Sequence, residues 1–368
     1  MKYLEEFRDP ELAHKIVDEI KAVTTKKWNI MEICGGQTHS LVKNGIIDVL
    51  PKDITMIHGP GCPVCVTPVH LIDKAVFLSL RKDTILCSFG DMVRVPGSSK
   101  SLLQAKAEGA DLRLVYSPLE AVKIAKENPN KEVIFFAVGF ETTAPVNALS
   151  VIQAYKLGLT NYSILVSHVL VPPAMDAILS DPTSKIDGFL AAGHVNTVMG
   201  YKEYHPIALT YKTPIVVTGF EPLDLLQGIL MVVKQLENKT HEVQNQYSRI
   251  VSEEGNLSAQ KTIHEVFEIA SHDWRGIGTI NKSGYKIKEK YTHFDADRKF
   301  KIDIEKHEEN VDCIAGEILK GNKKPFQCTQ FGKKCNPENP LGAPMVSTEG
   351  ACAAYYHFSN NIFDTIHL

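Results

Sequence analysis

The sequence predicts an α/β fold with two similar parallel-sheet α/β domains and a third domain that is mainly helical and irregular. Short apolar runs recur along residues 28–236, and most of them end in a glycine-containing loop before a helical pattern. Their hydrophobicity is continuous rather than alternating, as expected of strands buried on both faces of a parallel sheet. Folds of this class collect their functional loops at the carboxyl ends of the strands.

The first predicted domain covers residues 28–127. Its apolar strands lie at 28–33, 54–57 and 84–87, with helical patterns at 71–80 and 119–127. These strands run into the loops Cys34-Gly-Gly, His58-Gly-Pro-Gly and Ser88-Phe-Gly-Asp. We therefore expect β–α units with their polar loops at one edge of a sheet.

The second predicted domain covers residues 128–236 and holds two copies of one loop. Gly139-Phe-Glu recurs as Gly219-Phe-Glu, 80 residues later, each time after a β-branched strand and before a helix. The predicted strands of this domain are 132–138, 163–167, 188–191 and 215–218. The predicted helices are 146–157 and 223–236. Glu141 could act as an acid–base group or orient a partner, whereas Glu221 could simply begin a helix, where a negative charge is favoured.

The third predicted domain combines residues 1–27 with residues 237–368. Amphipathic helical patterns at 238–251 and 259–270 precede short strands and turns at 274–303. The tail after Cys313 is rich in Gly, Pro and Asn and has few apolar runs. Such a segment can hardly build its own hydrophobic core, so we expect a metal site to hold it together.

Composition narrows the functional class. The formal net charge of −3 gives no global basic field, which argues against nucleic acid binding. The first ten residues are charged and no apolar run approaches the roughly 20 residues that span a bilayer, so we expect a cytoplasmic protein without a membrane segment. No Walker-A sequence or dinucleotide fingerprint occurs, and we infer no nucleotide. Thiols stay reduced in the cytoplasm, so the eight cysteines point to metals or catalysis rather than structural disulfides.

Four of the eight cysteines lie near the C-terminus, at Cys313, Cys328, Cys335 and Cys352. A [4Fe–4S] cluster needs four thiolates that converge on a cube, and they need not be close in sequence. Structural zinc also takes four cysteines, usually as short C-x-x-C knuckles, which this set lacks. The pattern favours an iron–sulfur cluster, with zinc and unrelated thiols as the alternatives.

The other four cysteines lie near the N-terminus. Cys62-Pro-Val-Cys65 precedes a helical pattern and is typical of a redox dithiol, although half of a zinc site is the alternative. Cys34 is a suitable soft ligand for iron, and His39 could ligate, donate a hydrogen bond or move a proton. The plainer alternative is a buried thiol beside a capping histidine. Cys87 lies within a strand and is expected to pack as a small apolar residue.

Two more histidines, His168 and His194, follow predicted strands. Either of them could belong to a site at the strand ends, or could be a hydrogen-bonded loop histidine. The sequence leaves the roles of both open.

Together these motifs resemble the HypD family of [NiFe]-hydrogenase maturation factors along essentially the whole chain. The N-terminal motifs are Cys34-Gly-Gly-Gln-Thr-His39, Gly59-Pro-Gly-Cys-Pro-Val-Cys65, Phe89-Gly-Asp-Met-Val-Arg-Val-Pro96, Gly139-Phe-Glu-Thr-Thr-Ala-Pro145 and Gly219-Phe-Glu-Pro-Leu-Asp224. The C-terminal stretch from Pro325 to Met345-Val-Ser-Thr-Glu-Gly-Ala-Cys352 resembles the cluster-binding tail of that family.

The resemblance implies a metallocofactor-assembly scaffold with thiol redox activity rather than a conventional turnover enzyme. HypD proteins carry a [4Fe–4S] cluster and act with the small chaperone HypC as the scaffold for an Fe(CN)2(CO) unit. The HypE–HypF pair supplies cyanide, and the hydrogenase large subunit receives the finished iron moiety. The implied fold is two similar α/β domains and a third domain that bears the cluster.

The resemblance also implies a role for each site residue. Cys34 is the HypD-side ligand of the iron, opposite a HypC cysteine, and His39 is its neighbour. Cys62 and Cys65 form a redox-active dithiol in a relay similar to that of ferredoxin–thioredoxin reductase. The cluster ligands are Cys313, Cys328, Cys335 and Cys352. The alternative function is a free-standing iron–sulfur dithiol/disulfide reductase, which gives Cys34 no task.

Overall fold

A computed structural model of the chain describes residues 5–304 and 310–359, with side chains from residue 7 onward. The predicted α/β class is confirmed, because the strands form two parallel sheets flanked by helices. The strands are β1 (Trp28–Glu32), β2 (Ile54–His58), β3 (Thr84–Ser88), β4 (Leu112–Leu114), β5 (Glu132–Gly139), β6 (Tyr162–His168), β7 (Gly188–Ala192), β8 (Ile215–Thr218), β9 (Val243–Asn245), β10 (Phe267–Trp274) and β11 (Gly278–Ile287).

The helices connect these strands and cover the sheets. They are α1 (Pro10–Val23), α2 (Gly35–Lys43), α3 (Ile46–Val49), α4 (Pro63–Val66), α5 (Val69–Ser79), α6 (Leu102–Ala107), α7 (Pro118–Glu127), α8 (Ala144–Lys156), α9 (Val171–Ser180), α10 (Gly193–Met199), α11 (Tyr204–Tyr211), α12 (Pro222–Asn238), α13 (Leu257–Val266), α14 (Ala296–Phe300), α15 (Ala315–Leu319) and α16 (Ala351–Phe358). Short 3₁₀ helices lie at Glu5–Arg8, Asp91–Arg94, Glu289–Phe294, Pro325–Gln327 and Ala343–Met345.

The two sheets do not follow the chain in order. The first sheet has the strand order β2-β1-β7-β8-β9, and the second has the order β4-β3-β5-β6, with every pair parallel. Strands β1 and β2 therefore belong to the first sheet, the next four strands along the chain form the second sheet, and β7 belongs to the first sheet again. This pairing groups the strands differently from the predicted units 28–127 and 128–236.

Burial explains why these segments form strands. Every residue of β3, β7 and β8 is buried, as are all but the first residue of β5. A strand covered by helices on both faces needs apolar side chains at consecutive positions, which is the pattern that the sequence shows. The strand ends that carry Cys34, His58, Glu141 and Gly193 thus come to the carboxyl edges of the two sheets.

The segments of the predicted third domain pack on both sheet units. Helix α1 lies against α12, with Val17 and Ile20 in the core of the first sheet. Helix α13 and the antiparallel β10–β11 hairpin add Ile263 and Phe267 to the core of the second sheet. These contacts do not confirm a separate iron–sulfur domain, which stays a prediction.

Two of the helices predicted in this region have different bounds. The pattern at 238–251 holds β9 and turns instead of a helix, because this segment pairs with β8 and forms the edge strand of the first sheet. The predicted helix 259–270 ends at Val266, and the chain continues into β10. Pairing with a neighbouring strand outweighs a weak amphipathic pattern at both places. Across the described residues, each helix is too short or too polar to cross a membrane.

Candidate functional site

Cys34 lies at the carboxyl end of β1, where it precedes the first residue of α2. Its side chain is buried. Gly35 donates its N–H to the carbonyl of Gly61 at 3.0 Å, so the Cys34 loop and the loop before Cys62 are joined by the backbone. A Cβ added at Gly61 would overlap the backbone nitrogen of Cys34. Only glycine allows this approach, which brings the two N-terminal cysteine motifs together.

The thiol of Cys34 contacts a histidine from another part of the chain. Its Sγ lies 3.6 Å from Nδ1 of His194, which is near the start of α10. Burial lowers the pKa of His194 to about 4, so this imidazole is neutral at neutral pH. Burial also raises the pKa of Cys34, and the nearby carboxylate of Glu349 adds to that effect. The pair is therefore a neutral thiol beside a neutral imidazole.

His39 lies in α2 and is linked to the C-terminal segment. Its Nδ1 donates to the carbonyl of Thr348 at 3.1 Å, and its ring packs edge-on against Phe358. The sequence predicted His39 as the histidine of the site. The sulfur of Cys34 contacts His194, whereas the described contacts of His39 are with Thr348 and Phe358, so a role of His39 in the site stays a prediction.

Cys62 and Cys65 form a disulfide across the first turn of α4. Cys62 caps the helix, Pro63 occupies the first position, and the N–H of Cys65 points at the sulfur of Cys62 at 3.2 Å. Both cysteines are buried in the core that also contains Cys34. A C-x-x-C pair at a helix start suits reversible opening and closing of the bond.

A buried carboxylate lies behind Cys34, and the sequence had not pointed to it. Glu32 Oε2 accepts the N–H of Cys34 at 2.9 Å, and Oε1 accepts the Thr38 hydroxyl and pairs with His58 Nδ1 at 2.8 Å. His58 Nε2 contacts the hydroxyl of Tyr355 at 3.0 Å. Burial raises the pKa of Glu32 and lowers the pKa of His58. This network joins the Cys34 loop to α16, the helix that carries Cys352.

Glu141 follows β5 and is buried. One carboxylate oxygen accepts the N–H of Val171 at 2.9 Å, while the other has no partner among the described residues. Burial raises the pKa of Glu141 to about 8. Burial also raises the pKa of Tyr204, with further contributions from the charges of Glu141 and Cys34. Tyr204 belongs to the same buried core as Cys34 and as Phe140, which precedes Glu141.

The structure also shows the contacts of three other residues that were noted in the sequence. Glu221 precedes α12 and forms an ion pair with Arg8 at 2.5 Å. His168 is fully buried and accepts from the Asn147 amide at 2.7 Å, and burial lowers its pKa to about 3. Cys87 packs within β3, where burial raises its pKa to about 12.

The four C-terminal cysteines line a single cavity. They reach it from different places: Cys313 precedes α15, Cys328 follows a 3₁₀ turn, Cys335 lies in a loop and Cys352 is in α16. None of the four is in a disulfide. The pKa of Cys352 is raised by burial first and then by the other three thiols.

The backbone around this cavity is shaped to the sulfurs. A Cβ at Gly342 would overlap the Sγ of Cys313, and the N–H of Leu341 points at the Sγ of Cys335 at 3.4 Å. In residues 5–304 and 310–359, no three His, Cys, Asp or Glu side chains are arranged to hold a single metal ion. Four thiols around one cavity are donors of the kind that both iron–sulfur clusters and structural zinc use.

The two groups of cysteines are adjacent in the fold. Helix α4, which follows Cys62 and contains Cys65, packs against the 3₁₀ helix Ala343–Met345, which borders the four-cysteine cavity. The following segment is anchored by a hydrogen bond from Ser347 to Asp91 at 2.8 Å. The backbone of Glu349 packs on Gly35. The C-terminal segment thus runs from the four cysteines to the Cys34 loop.

Comparison with known proteins settles the family. The model of the family described as "HypD: Hydrogenase formation hypA family" matches residues 11–359. The chain belongs to the HypD family. It is 48% identical over 367 residues to "Hydrogenase maturation factor HypD" of Azotobacter vinelandii, covering 97% of each chain. It is 43% identical over 366 residues to the protein of that name from Escherichia coli (strain K12), covering 97% of this chain and 98% of the relative.

A further relative, "Hydrogenase expression/formation protein HupD" of Azotobacter chroococcum mcd 1, is 48% identical over 367 residues and is covered to 97%. Membership in the HypD family confirms the predicted resemblance and places the chain among hydrogenase maturation factors. The HypD motifs drew attention to the cysteines but not to Glu32 or His58. A signal for Glu32 was present, because a carboxylate inside an apolar strand requires buried partners.

Proposed function

We propose that this HypD-family chain is a [NiFe]-hydrogenase maturation factor that, with a HypC-type small chaperone, forms the scaffold on which an Fe(CN)2(CO) unit is assembled. The observation that carries the proposal is the position of Cys34. Its buried thiol lies against His194, where the loop before Cys62 and the C-terminal segment meet. A thiol at such a junction can bind iron while other groups act on it.

Cys34 supplies a soft ligand, and its surroundings prepare it for that role. Iron binds the thiolate, so the thiol proton must leave. Nδ1 of His194 lies 3.6 Å from the sulfur, and we propose that it takes up that proton as iron replaces it at the sulfur. Glu32 holds the Cys34 backbone N–H at 2.9 Å, which fixes the direction of the side chain. Glu141, with one unpartnered oxygen, is proposed as a buried acid–base group of the same region.

Cys313, Cys328, Cys335 and Cys352 are proposed to hold a [4Fe–4S] cluster. Their fit rests on four free thiols around one cavity and on Gly342, where any side chain would collide with Cys313. When bound, such a cluster supplies one-electron transfer. The chain holds the four sulfurs around one cavity. The mostly apolar lining of that cavity keeps water away from them.

Cys62 and Cys65 are proposed to be a redox-active dithiol. Opening the disulfide takes two electrons and two protons and gives two thiols. The pair shares a buried core with Cys34, so the change occurs next to the proposed iron site. Cys62 caps α4 and Cys65 lies in it, and α4 packs on the border of the four-cysteine cavity.

The proposed partners follow from this role. A HypC-type chaperone is proposed to add the second cysteine ligand of the iron, and HypE, with HypF, to donate cyanide. The hydrogenase large subunit is the proposed indirect recipient. We propose a cytoplasmic scaffold with thiol redox activity rather than a conventional turnover enzyme.

Anaerobic preparation and substitution of Cys34 test the proposal together. We expect about four irons and four sulfides per chain, as the stoichiometry of the cluster requires. We expect the Cys34→Ala variant to keep that content and to lose hydrogenase maturation in a strain that lacks its own copy of the protein. A colourless protein with one zinc, or normal maturation by the variant, would contradict the proposal.

The rival function is a free-standing iron–sulfur dithiol/disulfide reductase. It uses the same cluster and the same dithiol but has no use for Cys34. Co-purification separates the two functions, because the scaffold should retain a HypC-type partner through Cys34 and the reductase needs none. The burial of Cys34 against His194 favours the scaffold, since a reductase gives that pair no task.

A further inference from the structure

The aromatic ring of Phe220 lies beside the buried sulfur of Cys34. Phe220 belongs to the second Gly-Phe-Glu loop, between β8 and α12. Its ring centroid lies 5.1 Å from that of His194, whose Nδ1 contacts the sulfur. A Cβ added at Gly36 would lie 3.4 Å from the Phe220 ring and 3.7 Å from Sγ of Cys34. The ring, the imidazole and the sulfur therefore border one small space next to Gly36.

The residues around this space place it near the surface of the molecule. Cys34 is 3% exposed, whereas Gly36, His194 and Phe220 are each partly exposed. Of these three residues, Gly36 has no side chain and His194 has a polar ring that contacts the sulfur. Phe220 alone among them has a large apolar side chain, and that side chain separates the sulfur from water on this side.

The first copy of the Gly-Phe-Glu loop places its phenylalanine differently. Phe140 is buried in the core, and its ring centroid lies 5.9 Å from that of Trp274. The shared sequence therefore does not by itself require a partly exposed ring. The half-buried position belongs to the copy of the loop that lies beside Cys34.

The backbone of the second loop is held on both sides of the Phe220 ring. The N–H of Gly219 donates to Oε1 of Gln246 at 3.3 Å, and the carbonyl of Phe220 accepts the Ser40 hydroxyl at 2.6 Å. Rotation about the side-chain bonds of a partly exposed residue needs no change in the backbone. The ring can therefore uncover the sulfur by rotation while the loop stays in place.

We propose that the Phe220 ring is a movable cover of Cys34 that limits which molecules reach its sulfur. In the closed position the ring packs on His194 and Gly36, and its rotation opens the space beside the sulfur. Phe220 is thus a positioning residue, because it acts through access to the sulfur. The covering of the sulfur does not depend on the proposed function, whereas its consequence, that incoming iron must pass this ring, rests on it.

Alkylation of Cys34 in the folded full chain tests the cover. Iodoacetamide serves as the small reagent and a pyrene-substituted maleimide as the bulky one, and peptide mass spectrometry follows each cysteine separately. In both reactions the thiol proton goes to the buffer and the sulfur forms a bond to carbon, with iodide leaving from iodoacetamide and no leaving group from the maleimide. Both reagents react with the thiolate, so a change in the pKa of the thiol would alter both rates by a similar factor.

We expect Phe220→Ala to speed the reaction of Cys34 with iodoacetamide by about threefold to tenfold, the factor by which loss of one aromatic contact raises the population of the open state. The bulky maleimide should gain more, because the missing ring also widens the opening. Phe220→Tyr keeps the ring and should react like wild type. Phe77→Ala is the matched control, since it removes a ring that is 49% exposed on α5, and it should leave Cys34 unchanged.

Cys87 provides an internal control, because it is buried within β3 and reacts only when the fold opens. Equal rates at Cys34 in wild type and Phe220→Ala would overturn the inference. Equal acceleration by both reagents would also overturn it, since the thiol chemistry would then have changed, as would an equal acceleration at Cys87, since the whole fold would then be loosened. Normal maturation by Cys34→Ala would overturn the proposed function and leave the covering of the sulfur intact.

Discussion

Replacement of Glu141 by glutamine should make the stability of the chain less sensitive to a rise in pH between about 4.5 and about 8. The carboxyl group is buried, and its pKa is raised to about 8 from an ordinary value of 4.5. The unfolded chain therefore loses this proton at lower pH than the folded chain does. Because the folded state binds more protons in this window, ionisation of Glu141 lowers the free energy of unfolding as pH rises from about 4.5 to about 8.

The magnitude follows from the pKa difference. Each pH unit inside the window costs about 1.4 kcal/mol, so the change between about pH 5.5 and pH 7.5 is about 2.5 kcal/mol. Glutamine cannot ionise, and its amide can still be hydrogen-bonded by the N–H of Val171 through its oxygen. The stability of Glu141→Gln relative to wild type should therefore increase by about 2.5 kcal/mol over those two pH units.

Urea unfolding at several pH values, followed by tryptophan fluorescence and circular dichroism, measures this difference. Buried His168 and His194 also titrate abnormally, but they are present in both proteins and cancel in the comparison. Glu221→Gln is the matched control, since Glu221 occupies the same place in the repeated loop but pairs with Arg8 at the surface. A difference between Glu141→Gln and wild type that stays level with pH would refute the reasoning.

Two further predictions concern the N-terminal cysteines. Gly61→Ala should destabilise the chain by about 1–3 kcal/mol and impair maturation, because its Cβ would overlap the Cys34 backbone, whereas Gly90→Ala, with nothing within 4 Å of its Cβ, should do neither. Equal unfolding curves for the two alanine variants would contradict the close approach of Gly61 to the Cys34 backbone. Thiol titration of the denatured chain should find six free thiols without reductant and eight with it, because only Cys62 and Cys65 are paired. Eight without reductant would show that the pair is open at rest.

The sequence predicted the strands of the fold but not their partners. Continuous apolar runs located β1, β2, β3 and β5 closely, since buried parallel strands need such runs. All of these runs look alike, however, so nothing in them states that β1 pairs with β7 rather than with β3. Partner choice depends on the helices that cross over each sheet, and that information is spread along the whole chain.

The site was predictable where one motif carries the chemistry and hidden where distant segments meet. The motifs placed Cys34 and Cys62 in loops after predicted strands, and the structure joins those loops through a close backbone approach at Gly61. His194 contacts the thiol of Cys34 across 160 residues, and Glu32 is paired with His58 from another strand. Such contacts arise from sheet topology and leave no local spacing in the sequence.

Infrared spectroscopy tests the central claim most directly. The chain would be co-purified with a HypC-type partner under anaerobic conditions, and the stretching bands of bound cyanide and carbon monoxide would be compared between wild type and Cys34→Ala. We predict that wild type shows these bands and that the variant loses them, while both keep about four irons and sulfides of the cluster. Bands of equal intensity in the variant would contradict the assignment of Cys34 as the ligand of the iron.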